Sequence, residues 1–178
     1  MNITDYFIEK SGGLLKKEPE PLNYGNSYSA FNSGSIEIET GEFLYGMVRI
    51  IKPQYIFETG TYKGVSAAYM AQALKDNGFG KITTIEYNPL LIRDSEELWA
   101  RLELTNWIKP VEGLSYNFKP QENYDLLFLD SEPEIRFKEL ELFYPKLKEG
   151  GYVFLHDLPR DMAQFTHNPD HPEVDPWP

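Results

Sequence analysis

The stretch Tyr55-Ile56-Phe57-Glu58-Thr59-Gly60-Thr61-Tyr62-Lys63-Gly64 decides the fold. A short aromatic and β-branched run turns on two glycines into a helical pattern carried by Ala67, Ala68, Met70, Ala71 and Leu74. Downstream the alternation repeats. Lys81 to Glu86 reads as a second strand, with a helix from about Pro89 to Leu104. Trp107 to Val111 reads as a third strand, and Tyr124 to Asp130 is an unbroken apolar run suited to burial on both faces. A helix from about Pro133 to Leu147 leads through Gly150-Gly151 to a fifth strand, Tyr152 to His156. Upstream, Phe43, Leu44, Met47, Val48 and Ile51 recur at helical spacing until Pro53. Strands alternating with helices of this length form βαβ units. The expected fold is α/β, a Rossmann-like, doubly wound and mostly parallel sheet.

Three segments follow. Residues 1–40 form a short helical and loop arm, with Asn23-Tyr24-Gly25-Asn26-Ser27-Tyr28 suited to a lid over a ligand. Residues 41–158 form the ligand-binding domain, and 159–178 a proline-rich tail. The 178 residues suit one domain, and 17 Lys+Arg against 28 Asp+Glu give a net charge of −11. That balance argues against nucleic acid or an anionic membrane as partner. There is no cysteine, hence no thiolate chemistry and no disulfide. The N-terminus lacks the pattern of a signal peptide and no apolar run suits a membrane span, so a cytoplasmic protein is expected.

In such sheets ligands sit beyond the carboxyl ends of the strands. Each of the five strands delivers a carboxylate there: Glu58, Glu86, Glu112, Asp130 and Asp157. Together they predict a negative cleft for a ligand carrying positive charge and hydroxyls. Tyr62 stands where a dinucleotide-binding turn has its middle glycine, so the backbone is poorly prepared for a pyrophosphate. Glu86 lies near the spacing of an acid that binds ribose hydroxyls, roughly 20 residues past the turn. A nucleoside without phosphates meets both observations, and S-adenosylmethionine is the common one.

Glu58-Thr59-Gly60-Thr61-Tyr62-Lys63-Gly64-Val65-Ser66 resembles motif I of the class I S-adenosylmethionine-dependent small-molecule O-methyltransferases, of catechol or macrocin type. The resemblance runs from about Gly41 to Asp157, through Ile85-Glu86-Tyr87-Asn88-Pro89, Glu112-Gly113-Leu114-Ser115, Asp125 to Asp130, and Gly150 to Asp157. It implies a cofactor site made of Glu58, Gly60, Thr61, Tyr62, Gly64, Ser66, Glu86, Tyr87, Gly113, Leu114, Ser115 and Asp130. Gly60 and Tyr62 would line the methionine half, Ser66 would reach its carboxylate, and Glu58 would order its ammonium. Glu86 would hold the ribose, Tyr87 would pack on the adenine, and Ser115 would approach the adenine edge.

In catechol-type relatives two aspartates and an asparagine hold magnesium, and a lysine acts as base. Asp130 and Asp157 stand at the aspartate positions, which makes them the candidate metal ligands and catalytic residues. Leu158 replaces the asparagine and Pro133 the lysine. His156 is the alternative base. The implied acceptor is a small hydroxylated molecule, a sugar or a phenol. A nicotinamide-dependent oxidoreductase and a cofactor-binding domain without catalysis are the competing readings. Relatives usually add two strands after the fifth. The proline-rich tail does not supply them, so either the open sheet edge is covered by the arm or by a second copy in a homodimer, or the chain is a fragment of a longer protein.

Overall fold

A computed structural model describes residues 2–21, 27–31 and 34–157. Helix α1 (Ile3–Lys10) starts where the Asn2 side chain accepts from the Asp5 N–H. Its buried Phe7 packs against Tyr69. Strands β1 (Glu18–Pro21) and β2 (Ser27–Ala30) form an antiparallel hairpin where the sequence reads as loop. Pro19 and Pro21 weaken any strand signal. Spaced two apart, they put their missing N–H groups on one side of the ladder, which a two-stranded ribbon can leave open. The expected lid segment Asn23–Asn26 and the tail 159–178 lie outside the described residues.

The remaining elements are α2 (Ile38–Ile51), β3 (Tyr55–Thr59), α3 (Val65–Asn77), β4 (Lys81–Glu86), α4 (Pro89–Arg101), β5 (Ile108–Glu112), β6 (Tyr124–Leu129), α5 (Arg136–Phe143) and β7 (Leu147–Leu155). The five later strands form one parallel sheet in the order β5-β4-β3-β6-β7. The chain works outward from β3 to β5, then returns to place β6 on the other side of β3. The order therefore reverses between β3 and β6, and a crevice opens beyond their carboxyl ends.

Side-chain alternation divides the core in two. Ile56, Ile82, Leu126 and Phe128 face α2, α3 and α4, against Tyr69, Met70, Leu74 and Trp99. Phe57, Ile85, Leu127 and Leu129 face the other way, against Phe143 of α5 and Phe118. The boundaries shift from the sequence reading for local reasons. After α4 the chain leaves the helix at Glu103, which takes φ 58°. Helix α5 ends before the short 3-10 turn Tyr144–Lys146, which carries Pro145 at its start. Strand β7 begins at Leu147, before the two glycines, with a register shift against β6. No helix among the described residues is long and apolar enough to cross a membrane.

Candidate functional site

The turn after β3 is tied down from several sides. Gly60 and Thr61 donate their N–H groups to the Ile85 carbonyl of β4, and Gly64 donates to Thr61. Gly60 has φ 80°, and a Cβ there would stand 2.2 Å from the Asp130 carbonyl, so only glycine lets β3 and β6 close this tightly. Tyr62 adopts φ 47°, uncommon for a residue with a side chain. Two contacts hold it there: its N–H donates to Glu86 Oε2 at 2.9 Å, and its carbonyl accepts from Ser95. Gly64 lies against Trp99, whose indole N–H donates to the Gly64 carbonyl at 2.8 Å.

Beneath this turn Glu58 is fully buried, with Ser66 and Thr84 hydroxyls donating to its two oxygens. Burial pushes its carboxyl up to about 8 against the help of those hydroxyls, so near neutral pH it is mainly protonated. Glu58 lines neither cavity described below; Ser66 stands between it and the open space. Glu86 accepts from the backbone N–H groups of Tyr62 and Asn88, one on each oxygen, and stays at a cavity wall with lone pairs to spare.

The second half of the site comes from the ends of β6 and β7. Asp130 donates its N–H to Thr59. Its Oδ1 lies 2.9 Å from His156 Nδ1 and 3.3 Å from Arg136. His156 Nε2 lies 3.0 Å from Glu37, just before α2, and Asp157 approaches Nδ1 at 3.4 Å. Burial works against a charged imidazole, yet its hydrogen bonds to Asp130 and Glu37 outweigh it and hold His156 up to about 10. The same hydrogen bond, against burial, draws Glu37 down to about 2. Burial pushes the Asp130 carboxyl up, with His156 and Arg136 pulling the other way. At neutral pH the centre is therefore an imidazolium hydrogen-bonded to Asp130 and Glu37, with a buried guanidinium at its side.

Two adjoining cavities meet at Gly34, Gly60, Tyr62, Asp130 and Ser131. One, of about 370 Å³, is polar and is lined by Glu37, Thr61, Ser66, Arg136, His156 and Asp157. The other, of about 470 Å³, is walled mainly by Ile85, Tyr87, Leu91, Leu114 and Ile135, with Glu86, Gly113 and Ser115 among them. Tyr87 and Leu114 are exposed apolar side chains on that wall, surface that a flat ring would cover. The larger space suits an apolar ring joined to a hydroxylated sugar; the smaller suits charged and hydroxyl groups.

Of the residues singled out in the sequence, Gly60, Thr61, Tyr62, Ser66, Asp130, His156 and Asp157 line the polar cavity. Glu86, Tyr87, Gly113, Leu114 and Ser115 line the apolar one, which Gly60, Tyr62 and Asp130 share. Gly64 shapes the turn and lines neither. Glu112, also a strand-end acid, is exposed and lines neither cavity. The cleft is less negative than five strand-end carboxylates suggest, because Glu58 is mainly protonated and Asp130 is paired. Sequence reasoning missed Glu37 and Arg136. For Arg136 one signal existed: Arg136, Glu139 and Phe143 share one helical face, and all three are buried.

A family model described as a methyltransferase domain matches residues 57–158. The chain is 24% identical over 146 residues to a catechol O-methyltransferase of Niastella koreensis, covering 79% of this chain and 65% of that protein. It is 31% identical over 134 residues to catechol O-methyltransferase B of Danio rerio, covering 67% of this chain and 47% of that protein. The chain thus spans less than two thirds of either curated relative. Among solved structures, an SAH-bound methyltransferase from Podospora anserina has a TM-score of 0.62 at 18% identity, covering 98% of this chain and 79% of that chain, a likeness of fold.

Proposed function

As this chain belongs to the methyltransferase domain family, matched over residues 57–158, we propose that it moves a methyl group from S-adenosylmethionine to a hydroxyl of a small molecule, a phenol or a sugar. The observation that carries this reading is the pair of cavities meeting at Gly60, Tyr62 and Asp130. Glu86 would take the ribose hydroxyls, and Tyr87, Leu91 and Leu114 would enclose the adenine. The polar side, with Thr61 and Ser66, would take the methionine end. Glu58 would act through Ser66 rather than touch the cofactor. The relatives' names favour an O-acceptor, and the net charge of −11 favours a small molecule over nucleic acid. The family match gives the nicotinamide alternative no support.

When bound, S-adenosylmethionine would supply an electrophilic methyl: the acceptor oxygen gains the carbon as the carbon–sulfur bond breaks, and the hydroxyl proton is lost. This chain's own residues align the acceptor and receive that proton. His156, charged and donating from both ring nitrogens, is suited to orient oxygens rather than to collect a proton at neutral pH. Asp157 has a carboxylate at the polar cavity with 66% of its side chain exposed, so a proton taken there can pass to water. We assign Asp157 as the proton acceptor and Asp130 as the group that orients His156.

Transfer of labelled methyl from S-adenosylmethionine to a panel of phenols, catechols and sugars tests the reading. Asp157→Asn should lower kcat by about 100-fold with little change in cofactor affinity. Turnover by the variant at the wild-type rate would remove Asp157 from this role.

A further inference from the structure

We propose that Arg136 is the built-in cation of this site, standing against Asp130 where a divalent ion would have to bind, so that the acceptor is methylated without a metal. The inference rests on the methyltransferase reading and concerns how the acceptor side works. Arg136 is 3% exposed, and a guanidinium buried that far is retained only with partners. Its partners are the Asp130 carboxylate at 3.3 Å, the Ser131 carbonyl at 2.6 Å and the His156 carbonyl. These come from the ends of β6 and β7, the strands that deliver Asp130 and Asp157. One side chain therefore ties the two candidate metal-ligand positions together from the inside.

A hard divalent ion needs several oxygens in near-octahedral array, at about 2.1 Å for magnesium. Asp130 Oδ1 already faces two donors, from Arg136 and His156. An ion bound to that carboxylate would sit beside a guanidinium shielded from water, and like charges in such a place repel strongly. The position after Asp157 is Leu158, which offers no side-chain oxygen. Glu37, His156 and Asp157 do bring ligand atoms within 4.8 Å of one another. Yet each ring nitrogen of His156 is already spent on a carboxylate, Nδ1 on Asp130 and Nε2 on Glu37. A metal there would have to break both contacts. Arg136 also keeps one buried N–H, at Nε, without a partner among the described residues, while its side chain lines the polar cavity. The pocket thus holds a fixed guanidinium beside Asp130 in place of a coordinated ion.

The test is manganese(II) binding to the full chain, followed by electron paramagnetic resonance, with and without S-adenosylhomocysteine. Wild-type protein should leave the free-ion signal unchanged at sub-millimolar metal, and methyl transfer should be unaffected by a chelator. Arg136→Met should gain an equivalent of bound manganese that Asp130→Asn then removes, while Arg136→Lys should keep the metal out. Stoichiometric binding by wild type, abolished by Asp130→Asn or by Glu37→Gln, would overturn the proposal. A folded Arg136→Met that still takes up no metal would overturn the assignment to Arg136. The wild-type titration decides alone if Arg136→Met does not fold. Because metal binding is read without turnover, absence of S-adenosylhomocysteine binding in a separate melting experiment would count against the methyltransferase reading only.

Discussion

Glu58 sits at the first position of the decisive turn and carries a large pH consequence. Its ordinary value of 4.5 is raised to about 8 by burial. Below pH 4.5 the group is protonated whether the chain is folded or not, and costs nothing. Between 4.5 and 8 the unfolded chain ionises while the fold keeps the proton, so stability falls by about 1.4 kcal/mol per pH unit from this group. Glu58→Gln keeps the shape and remains a partner for the Ser66 and Thr84 hydroxyls. Urea unfolding across that range should show the variant gaining on wild type as pH rises; parallel curves would contradict the burial argument. At this scale the sequence was informative wherever a cavity-lining residue sits at a strand end. Gly60, Glu86 and Asp130 were legible because the end of an apolar run marks the edge where ligands bind. Glu37 was not, because it reaches His156 from an arm with no periodic signal. Arg136 was not, because a charged residue in a helical pattern is ordinarily read as a solvated face.

The first four strands of the parallel sheet were legible to within about two residues, since each is a short apolar run bounded by turn chemistry, whereas β7 starts well before its expected Tyr152 and the β1–β2 hairpin reads as loop. Helix ends were less so, because their limits depend on backbone angles such as φ 58° at Glu103 and on Pro145 at the foot of α5. Helix α5 has only eight residues, two of whose three buried side chains are charged. Its hold on the sheet therefore depends on Phe143, fully buried with its ring centroid 4.6 Å from that of Phe57. Phe143→Ala should cost about 3–5 kcal/mol by the cavity it leaves, measured by denaturant unfolding. A change below about 1 kcal/mol would mean that α5 is anchored by its polar contacts instead. Those contacts run to the site itself: Glu139 accepts from Thr59 at the end of β3, while Arg136 spans β6 and β7.

Over the whole molecule, the topology accounts for the site's location and the charge accounts for only part of its character. The strand order reverses between β3 and β6, and both cavities open at that reversal. The five strand-end carboxylates suggested an acidic cleft, but they have separate fates. Glu58 is mainly protonated, Glu86 is held by two backbone N–H groups, and Asp130 is balanced by His156 and Arg136. What remains for a ligand is a fixed hydrogen-bonding frame with an apolar chamber beside it. The central claim is that a nucleoside cofactor spans those two cavities with Glu86 at its ribose. Calorimetric titration with S-adenosylhomocysteine tests it most directly. Saturable one-to-one binding, weakened about tenfold or more by Glu86→Ala and not reproduced by NAD, is the predicted result. No binding, or equal affinity in wild type and Glu86→Ala, would contradict it.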